Sequence, residues 1–84
     1  MDPAKLLKRL ARGDLANVPF REMQTLVEAF GFRLARVSAS HHVYARPGVR
    51  ELVNLQEVKG QAKPYQVRQF LRLVERYGLS LEEP

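Results

Sequence analysis

Hydrophobic residues recur at the spacing of one helix face in three separate stretches of the chain. The first stretch follows Asp2-Pro3, a carboxylate cap before a proline, and predicts a short helix that ends near Gly13. The second runs over residues 19–31 and the third over residues 64–78, and each begins at a proline and ends at a glycine. The apolar positions of these three stretches are Leu6, Leu7 and Leu10; Phe20, Met23, Leu26, Val27 and Phe30; and Val67, Phe70, Leu71, Val74 and Tyr77.

The hydrophobic pattern between the second and third helices is that of β-strands. Residues 32–37, 41–46 and 50–56 are predicted to form three strands. Turn signals separate them, first Ser38-Ala39-Ser40 and then Pro47-Gly48. Connections this short allow only antiparallel pairing, because a parallel crossover needs about a dozen residues or more. The segment from residue 57 to residue 63 is predicted to be a loop.

The order of these elements predicts an α+β fold. It is the α-β-β-β-α order of the double-stranded-RNA-binding domain, with an additional N-terminal helix over residues 1–13 and a three-stranded antiparallel sheet. Two helices would cover one face of the sheet and leave the other open. The first helix either packs on the domain or forms a mobile arm. Residues 1–84 are expected to form a single domain, with a frayed tail over residues 80–84.

Composition excludes several classes of protein. The chain contains no cysteine, which excludes a disulfide framework and a thiolate metal site. No apolar run approaches the roughly 18 residues that a membrane span needs, so we expect no membrane partner. Lys8-Arg9 interrupts the leading Leu6-Leu7, which argues against a secretory signal. A cytoplasmic location is therefore expected.

Positive charge is concentrated in the middle of the chain. The whole chain has a net charge of +5. Residues 31–63 carry six basic and two acidic residues, a net charge of +4, whereas residues 1–30 carry five basic and four acidic residues, a net charge of +1. A basic surface of this kind attracts phosphate backbones. A surface that only keeps the protein in solution fits the charge equally well.

Both histidines of the chain, His41 and His42, stand at the predicted start of the second strand. Imidazole exchanges protons near neutral pH, and metal-independent RNA cleavage needs a group that takes a proton from the ribose 2′-hydroxyl or gives one to the leaving oxygen. Neighbouring strand residues point to opposite faces. If Val43 faces the core, His41 faces it too and His42 is exposed. Because the two rings diverge, with no carboxylate or cysteine beside them, a metal site is disfavoured.

Cationic and aromatic residues near the histidines are candidates for RNA contacts. Arg36 and Arg46 flank the pair, and a guanidinium can grip two phosphate oxygens. Lys63 lies at the start of the last helix, where an anion is favoured, and the ring of Tyr65 could stack on an unpaired base. The row Arg68, Arg72 and Arg76 is more typical of a solvated helix side than of a phosphate track, although a partner protein could use it.

Two runs of residues are specific enough to indicate a family. One is Ala29-Phe30-Gly31-Phe32 followed by Ser38-Ala39-Ser40-His41-His42-Val43-Tyr44, and the other is Gly60-Gln61-Ala62-Lys63-Pro64-Tyr65-Gln66. Together they resemble the HicA toxins of bacterial toxin–antitoxin pairs, and the resemblance covers roughly residues 20–79. The usual HicA pattern has glycine before the serine, where this chain has Ala39. If that position needs a positive φ, alanine is strained there.

The resemblance implies a small ribonuclease with the double-stranded-RNA-binding fold. It implies that the protein cuts messenger RNA without a metal or other cofactor, and that a HicB-like antitoxin protein silences it. By resemblance His41 is the catalytic residue, and His42 is a lesser candidate that only binds RNA. The alternative is a non-catalytic RNA-binding module of the same fold, in which both histidines only touch ribose or phosphate. A pure protein-interaction domain would neither bind nor cleave RNA.

Overall fold

Helices at both ends enclose a run of four strands in the computed structural model, which describes residues 2–82. The order confirms the predicted α+β class and the helix–strands–helix layout of a double-stranded-RNA-binding-like fold. No helix in the described part of the chain is both long enough and apolar enough to cross a membrane. The elements are α1 (Pro3–Ala11), α2 (Phe20–Ala29), β1 (Arg33–Ser38), β2 (His41–Arg46), β3 (Val49–Val58), β4 (Gln61–Ala62) and α3 (Pro64–Tyr77).

The N-terminal helix is part of the packed domain. It begins where the Asp2 carboxylate accepts a hydrogen bond from the Ala4 N–H at 2.9 Å, with Pro3 at the first helical position. Leu6 and Leu10 are buried in the main hydrophobic cluster, and α1 packs against α2. Of the two arrangements that the sequence allowed for this helix, the structure therefore has the packed one.

The sheet has four antiparallel strands in the order β1-β2-β3-β4, so the prediction of three strands was wrong. The strand β3 runs on to Val58, the chain reverses at Lys59 and Gly60, and β4 returns beside it. Both turn residues have positive φ, 52° and 77°, as in the two-residue hairpin turns that favour glycine. Lysine is not typical of the first position of such a turn. The sequence pattern of residues 57–63 therefore predicted a loop.

The outer side of β4 is covered by the segment that leads into α2. The Ala62 N–H donates to the Val18 carbonyl at 2.9 Å, and the Phe20 N–H donates to the Gly60 carbonyl at 2.9 Å. Pro19 forms an isolated bridge with Gln61. These bonds join the start of α2 to the edge of the sheet, which would otherwise present free main-chain groups.

Helices α2 and α3 pack on one face of the sheet through large apolar side chains. The ring of Phe70 on α3 meets those of Phe30 and Phe32 edge to face, with centroids 5.5 and 5.8 Å apart. Val53 and Leu55 supply the strand side of this core. A phenylalanine buried in this way contributes about 3–5 kcal/mol of stability relative to alanine, so these rings dominate the small core.

The described part of the C-terminal tail lies against the end of α2. Leu81 is partly buried against the core, and the Glu82 N–H donates to the Ala29 carbonyl at 2.7 Å. Leu81 and Glu82 belong to the predicted frayed tail, and the Glu82 N–H supplies a donor to one of the last carbonyls of α2, which the helix itself does not provide. The predicted frayed tail also includes residues 83 and 84, which lie outside the described residues.

Candidate functional site

The two histidines of β2 lie on opposite faces of the sheet. The ring of His42 meets the ring of Phe20 edge to face, with centroids 4.9 Å apart, so His42 is on the face that the helices cover. Its Nδ1 lies 3.3 Å from the Ser40 carbonyl oxygen. Because side chains alternate along a strand, His41 points to the other face, which none of the helices within residues 2–82 covers. Each histidine is half-buried.

Tyr44 is the residue of β2 that faces the core, so the premise that Val43 does so was wrong. Tyr44 is fully buried in the main hydrophobic cluster, and its hydroxyl accepts a hydrogen bond from Gln24 Nε2 at 3.0 Å. Burial raises the pKa of Tyr44, against the opposing effect of the Gln24 hydrogen bond. Val43 is buried too, but it lies outside that cluster. Burying the large ring of Tyr44 in the core is more favourable than burying the smaller side chain of Val43 there. This difference decides which face of β2 packs against the helices.

On the open face, His41 has neighbours from both adjacent strands. Ser38 of β1 and Gln56 of β3 stand directly opposite it in the antiparallel ladder. Arg36 stands opposite Val43, one pair further along the same face, and it is exposed. Diagonal neighbours of this kind have their Cα atoms about 7–8 Å apart, which is within reach of an arginine side chain. The structure therefore brings His41 and Arg36 together.

A strained turn precedes His41. Ala39 and Ser40 form the two-residue connection between β1 and β2, and the φ angle of Ala39 is +55°. Positive φ costs an L-residue other than glycine roughly 1–2 kcal/mol. His41 is the first strand residue after this turn, so the conformation of Ala39 helps to set the position of the imidazole.

Helix α3 is joined to the strand residue opposite His41 through Gln66. Gln66 is only 4% exposed, and its Oε1 accepts a hydrogen bond from the Gln56 N–H at 2.7 Å. The pairing of β4 with β3 stops at Glu57 and Val58, so this side chain replaces the missing strand partner at Gln56. Gln66 was not among the predicted site residues. Its signal was a polar residue four positions before Phe70, on the buried side of the helix.

Lys63 and Tyr65 lie together at the N-terminus of α3. Lys63 is the N-cap residue, and its Nζ lies 5.8 Å from the centroid of the Tyr65 ring, which is close enough for a cation–π contact. Tyr65 is 51% exposed, and its hydroxyl accepts a long hydrogen bond from Gln66 Nε2 at 3.4 Å. The link between Gln66 and Gln56 places this pair at the edge of the sheet near the His41 strand pair.

Arg46 is not near His41. It lies five residues further along β2, a distance of about 17 Å at roughly 3.3 Å per residue. Its Nε donates to the Phe30 carbonyl at 2.9 Å, so the guanidinium caps the C-terminal end of α2. Within residues 2–82, no three histidine, cysteine, aspartate or glutamate side chains form a group that could hold a metal ion.

Comparisons with known proteins give one match. Residues 20–75 match a family model described as the HicA toxin of bacterial toxin–antitoxin systems. The matched segment begins with α2, contains all four strands and both histidines, and ends two residues before the last residue of α3. Searches of the curated proteins and of the solved structures found no match.

Proposed function

The chain belongs to the HicA toxin family, and from this membership we propose that it is an endoribonuclease that cleaves messenger RNA without a metal ion. A toxin of this family implies an antitoxin partner, which we propose to be a HicB-like protein. The messenger RNA substrate places its action in the cytoplasm. The observation that carries the proposal is that His41, unlike His42, lies on the uncovered face of the sheet beside an exposed arginine.

In the proposed reaction, His41 removes the proton from a ribose 2′-hydroxyl. The freed 2′-oxygen attacks the adjacent phosphorus, the bond to the 5′-oxygen breaks, and the departing oxygen takes a proton from solvent. A positioned general base of this kind contributes about 10²–10⁴-fold to the rate. The Arg36 guanidinium donates hydrogen bonds to the phosphate oxygens as negative charge builds up on them.

The N-terminus of α3 supplies the proposed contacts to the flanking RNA. The Lys63 ammonium meets a neighbouring phosphate, and the exposed ring of Tyr65 stacks on an unpaired base. His42 and Arg46 were predicted to bind RNA as well. Their contacts with Phe20 and with the Phe30 carbonyl favour a structural role for both instead.

A non-catalytic RNA-binding module is the second candidate function, and one observation favours it. Ala39 holds a positive φ at the position where the HicA pattern has glycine. The strain in this turn acts on the backbone directly before His41. A small displacement there would weaken proton transfer, which depends on hydrogen-bond distance, more than it would weaken phosphate contacts.

Cleavage of a long single-stranded RNA in the presence of EDTA distinguishes these two functions. We expect the unaltered protein to cleave the RNA and to inhibit growth when expressed in cells. His41→Ala should abolish both effects and leave the circular dichroism spectrum and RNA binding in place. His42→Ala is the matched control, and it should retain cleavage and lose about 1 kcal/mol of stability with the Phe20 ring contact.

Retained cleavage or toxicity in a folded His41→Ala protein would refute the catalytic assignment. RNA binding by both proteins with cleavage by neither would establish the non-catalytic module.

A further inference from the structure

A groove of about 760 Å³ lies between β3 and the C-terminal half of α3, apart from the residues proposed to act on RNA. Leu52 of β3 and Leu73 of α3 are the apolar side chains that line it. At 53% exposure, Leu52 is the most exposed large hydrophobic side chain in the described part of the chain, and Leu73 is half-buried. An exposed apolar surface in a concave site is typical of a binding surface.

In the part of the chain that the structure describes, the edge of β3 beside this groove has no strand partner. The Glu57 N–H donates to the carbonyl of Ser40, the residue directly before β2, so the main-chain groups of Gln56 and Asn54 point away from β2 by alternation. Gln66 binds the Gln56 N–H, but β4 ends before Asn54. An exposed edge of this kind can pair with an extended segment of another chain.

The free charge around the groove is mainly positive. The Glu51 carboxylate accepts hydrogen bonds from Arg76, with an N–O distance of 2.6 Å, and from the Tyr77 hydroxyl. No carboxylate lies within ion-pair distance of Arg72 on the groove wall among the described residues, and the same holds for Arg68, one turn earlier on α3. Glu75 is the one acidic side chain left without an ion pair among the residues that line the groove.

We propose that the groove binds an extended, acidic segment of the antitoxin. The segment pairs with the main chain of Asn54, places an apolar side chain between Leu52 and Leu73, and sets a carboxylate against Arg72. The naming of the antitoxin as the source of this segment rests on the proposed function. RNA fits the groove less well, because none of the residues that line it has an aromatic ring on which a base could stack.

The test is a titration of the full chain with short synthetic peptides, followed by NMR. The probe is a peptide of alternating valine and aspartate, and its matched control carries lysine in place of aspartate. We expect saturable shifts of the amide signals of residues 52–54 and 72–73 with the acidic peptide, together with slower solvent exchange of the Asn54 amide. Leu52→Asp and Arg72→Glu should each weaken binding by about tenfold.

Two surface substitutions outside the groove control for the added charge. Val58→Asp introduces an aspartate at another exposed apolar position of β3, and Arg21→Glu reverses an exposed arginine on α2. Both should bind the acidic peptide as the unaltered protein does. Equal binding of the acidic and basic peptides, or shifts confined to other residues, would overturn the proposal.

A second measurement identifies the source of the segment and separates this proposal from the nuclease function. Leu52→Asp and Arg72→Glu should still cleave RNA and inhibit growth, but co-expression of a HicB-like antitoxin encoded beside the gene should no longer relieve that inhibition. Full relief would overturn the assignment to the antitoxin. Weaker RNA binding by Arg72→Glu without peptide binding would assign the groove to RNA and overturn the proposal. If the unaltered protein binds the peptide but does not cleave RNA, the nuclease function fails while the groove stands.

Discussion

At the scale of single residues, Ala39 is the clearest case of a residue in a backbone conformation that its side chain disfavours. Its φ of +55° lies in the left-handed region that glycine adopts without penalty. It is the first of two turn residues between β1 and β2, where the type II′ hairpin turn favours glycine. The antiparallel pairing of β1 with β2 holds Ala39 in this conformation, and the favourable free energy of that pairing offsets the strain.

We predict that Ala39→Gly stabilises the protein by about 0.5–1 kcal/mol. Glycine removes the strain of the left-handed conformation, which is partly offset by the greater flexibility of glycine in the unfolded chain. Thermal and urea unfolding measure the effect, and Ala35→Gly in the exposed strand β1 is the control that should destabilise. A stability equal to or below that of the unaltered protein would contradict the strain at Ala39.

The orientation of the two histidines could not be predicted from alternation alone. Val43 and Tyr44 are both buried, so the apolar pattern does not show which of them belongs to the main core. The choice depends on Phe20 and Gln24 of α2, which contact His42 and Tyr44. The resemblance to a family pointed to His41, and the packing of these neighbours explains why His41 is the histidine on the open face.

At the scale of elements, one buried amide joins the start of α3 to β3. Gln66 gives its Oε1 to the Gln56 N–H and so ties the start of the helix to the strand opposite His41. A buried main-chain donor that loses its acceptor costs about 1–3 kcal/mol.

We therefore predict that Gln66→Leu lowers the free energy of unfolding by about 1–3 kcal/mol and reduces RNA cleavage. The loss of activity follows because Lys63 and Tyr65 are then no longer held near the His41 strand pair. Gln69→Leu removes an exposed amide from the same helix and should leave stability within about 0.5 kcal/mol. An unchanged unfolding midpoint for Gln66→Leu would show that Gln56 finds another acceptor.

The far end of α3 is tied to β3 through a carboxylate. The Tyr77 hydroxyl, and to a lesser extent Arg76, holds the pKa of Glu51 below its ordinary value. Because the folded protein binds this proton less well than the unfolded chain does, the contribution is present above the unfolded pKa of about 4.3 and is lost as the pH falls through the folded value.

We predict that Tyr77→Phe is less stable than the unaltered protein at pH 7 and that the difference shrinks on acidification below about pH 4. Thermal unfolding at both pH values measures the difference. Tyr65→Phe removes an exposed hydroxyl and should show no such pH dependence. If the difference in stability between the two proteins is the same at both pH values, the effect of Tyr77 does not depend on the ionisation of Glu51.

The helices were more predictable than the last strand, for a physical reason. Proline and glycine mark the boundaries of α3, and Gly78 does adopt the left-handed conformation at its end. The strand β4 has only two residues, too few for a period to be recognised. It forms because Glu57 and the segment before α2 both pair with it, and contacts between distant parts of the chain leave no local pattern.

At the scale of the whole molecule, the excess of positive charge predicts how RNA affinity responds to salt. The net charge is +5, and the middle of the chain carries most of it. Phosphate contacts release counterions, so affinity for a single-stranded RNA should fall steeply and linearly on logarithmic axes as salt rises. A flat salt response would contradict binding through the phosphate backbone.

The variant Arg36→Ala makes this expectation specific to the open face. It should weaken binding to RNA of any sequence. It should also reduce the slope of log affinity against log salt concentration by about 1, because one phosphate contact is lost. Arg12→Ala removes an exposed arginine just after α1 and is the matched control. An unchanged slope in Arg36→Ala would place the phosphate contacts elsewhere on the molecule.

The family match begins at residue 20, yet the two residues before it, Val18 and Pro19, already pair with Ala62 and Gln61 of β4. A chain that began at residue 20 would lack the segment that pairs with the outer side of β4. It would also lack the leucine side chains of α1, which pack against α2. Such a fragment would be expected to associate with itself through the uncovered strand. The N-terminal residues outside the family match therefore protect the outer edge of β4 from pairing with another chain.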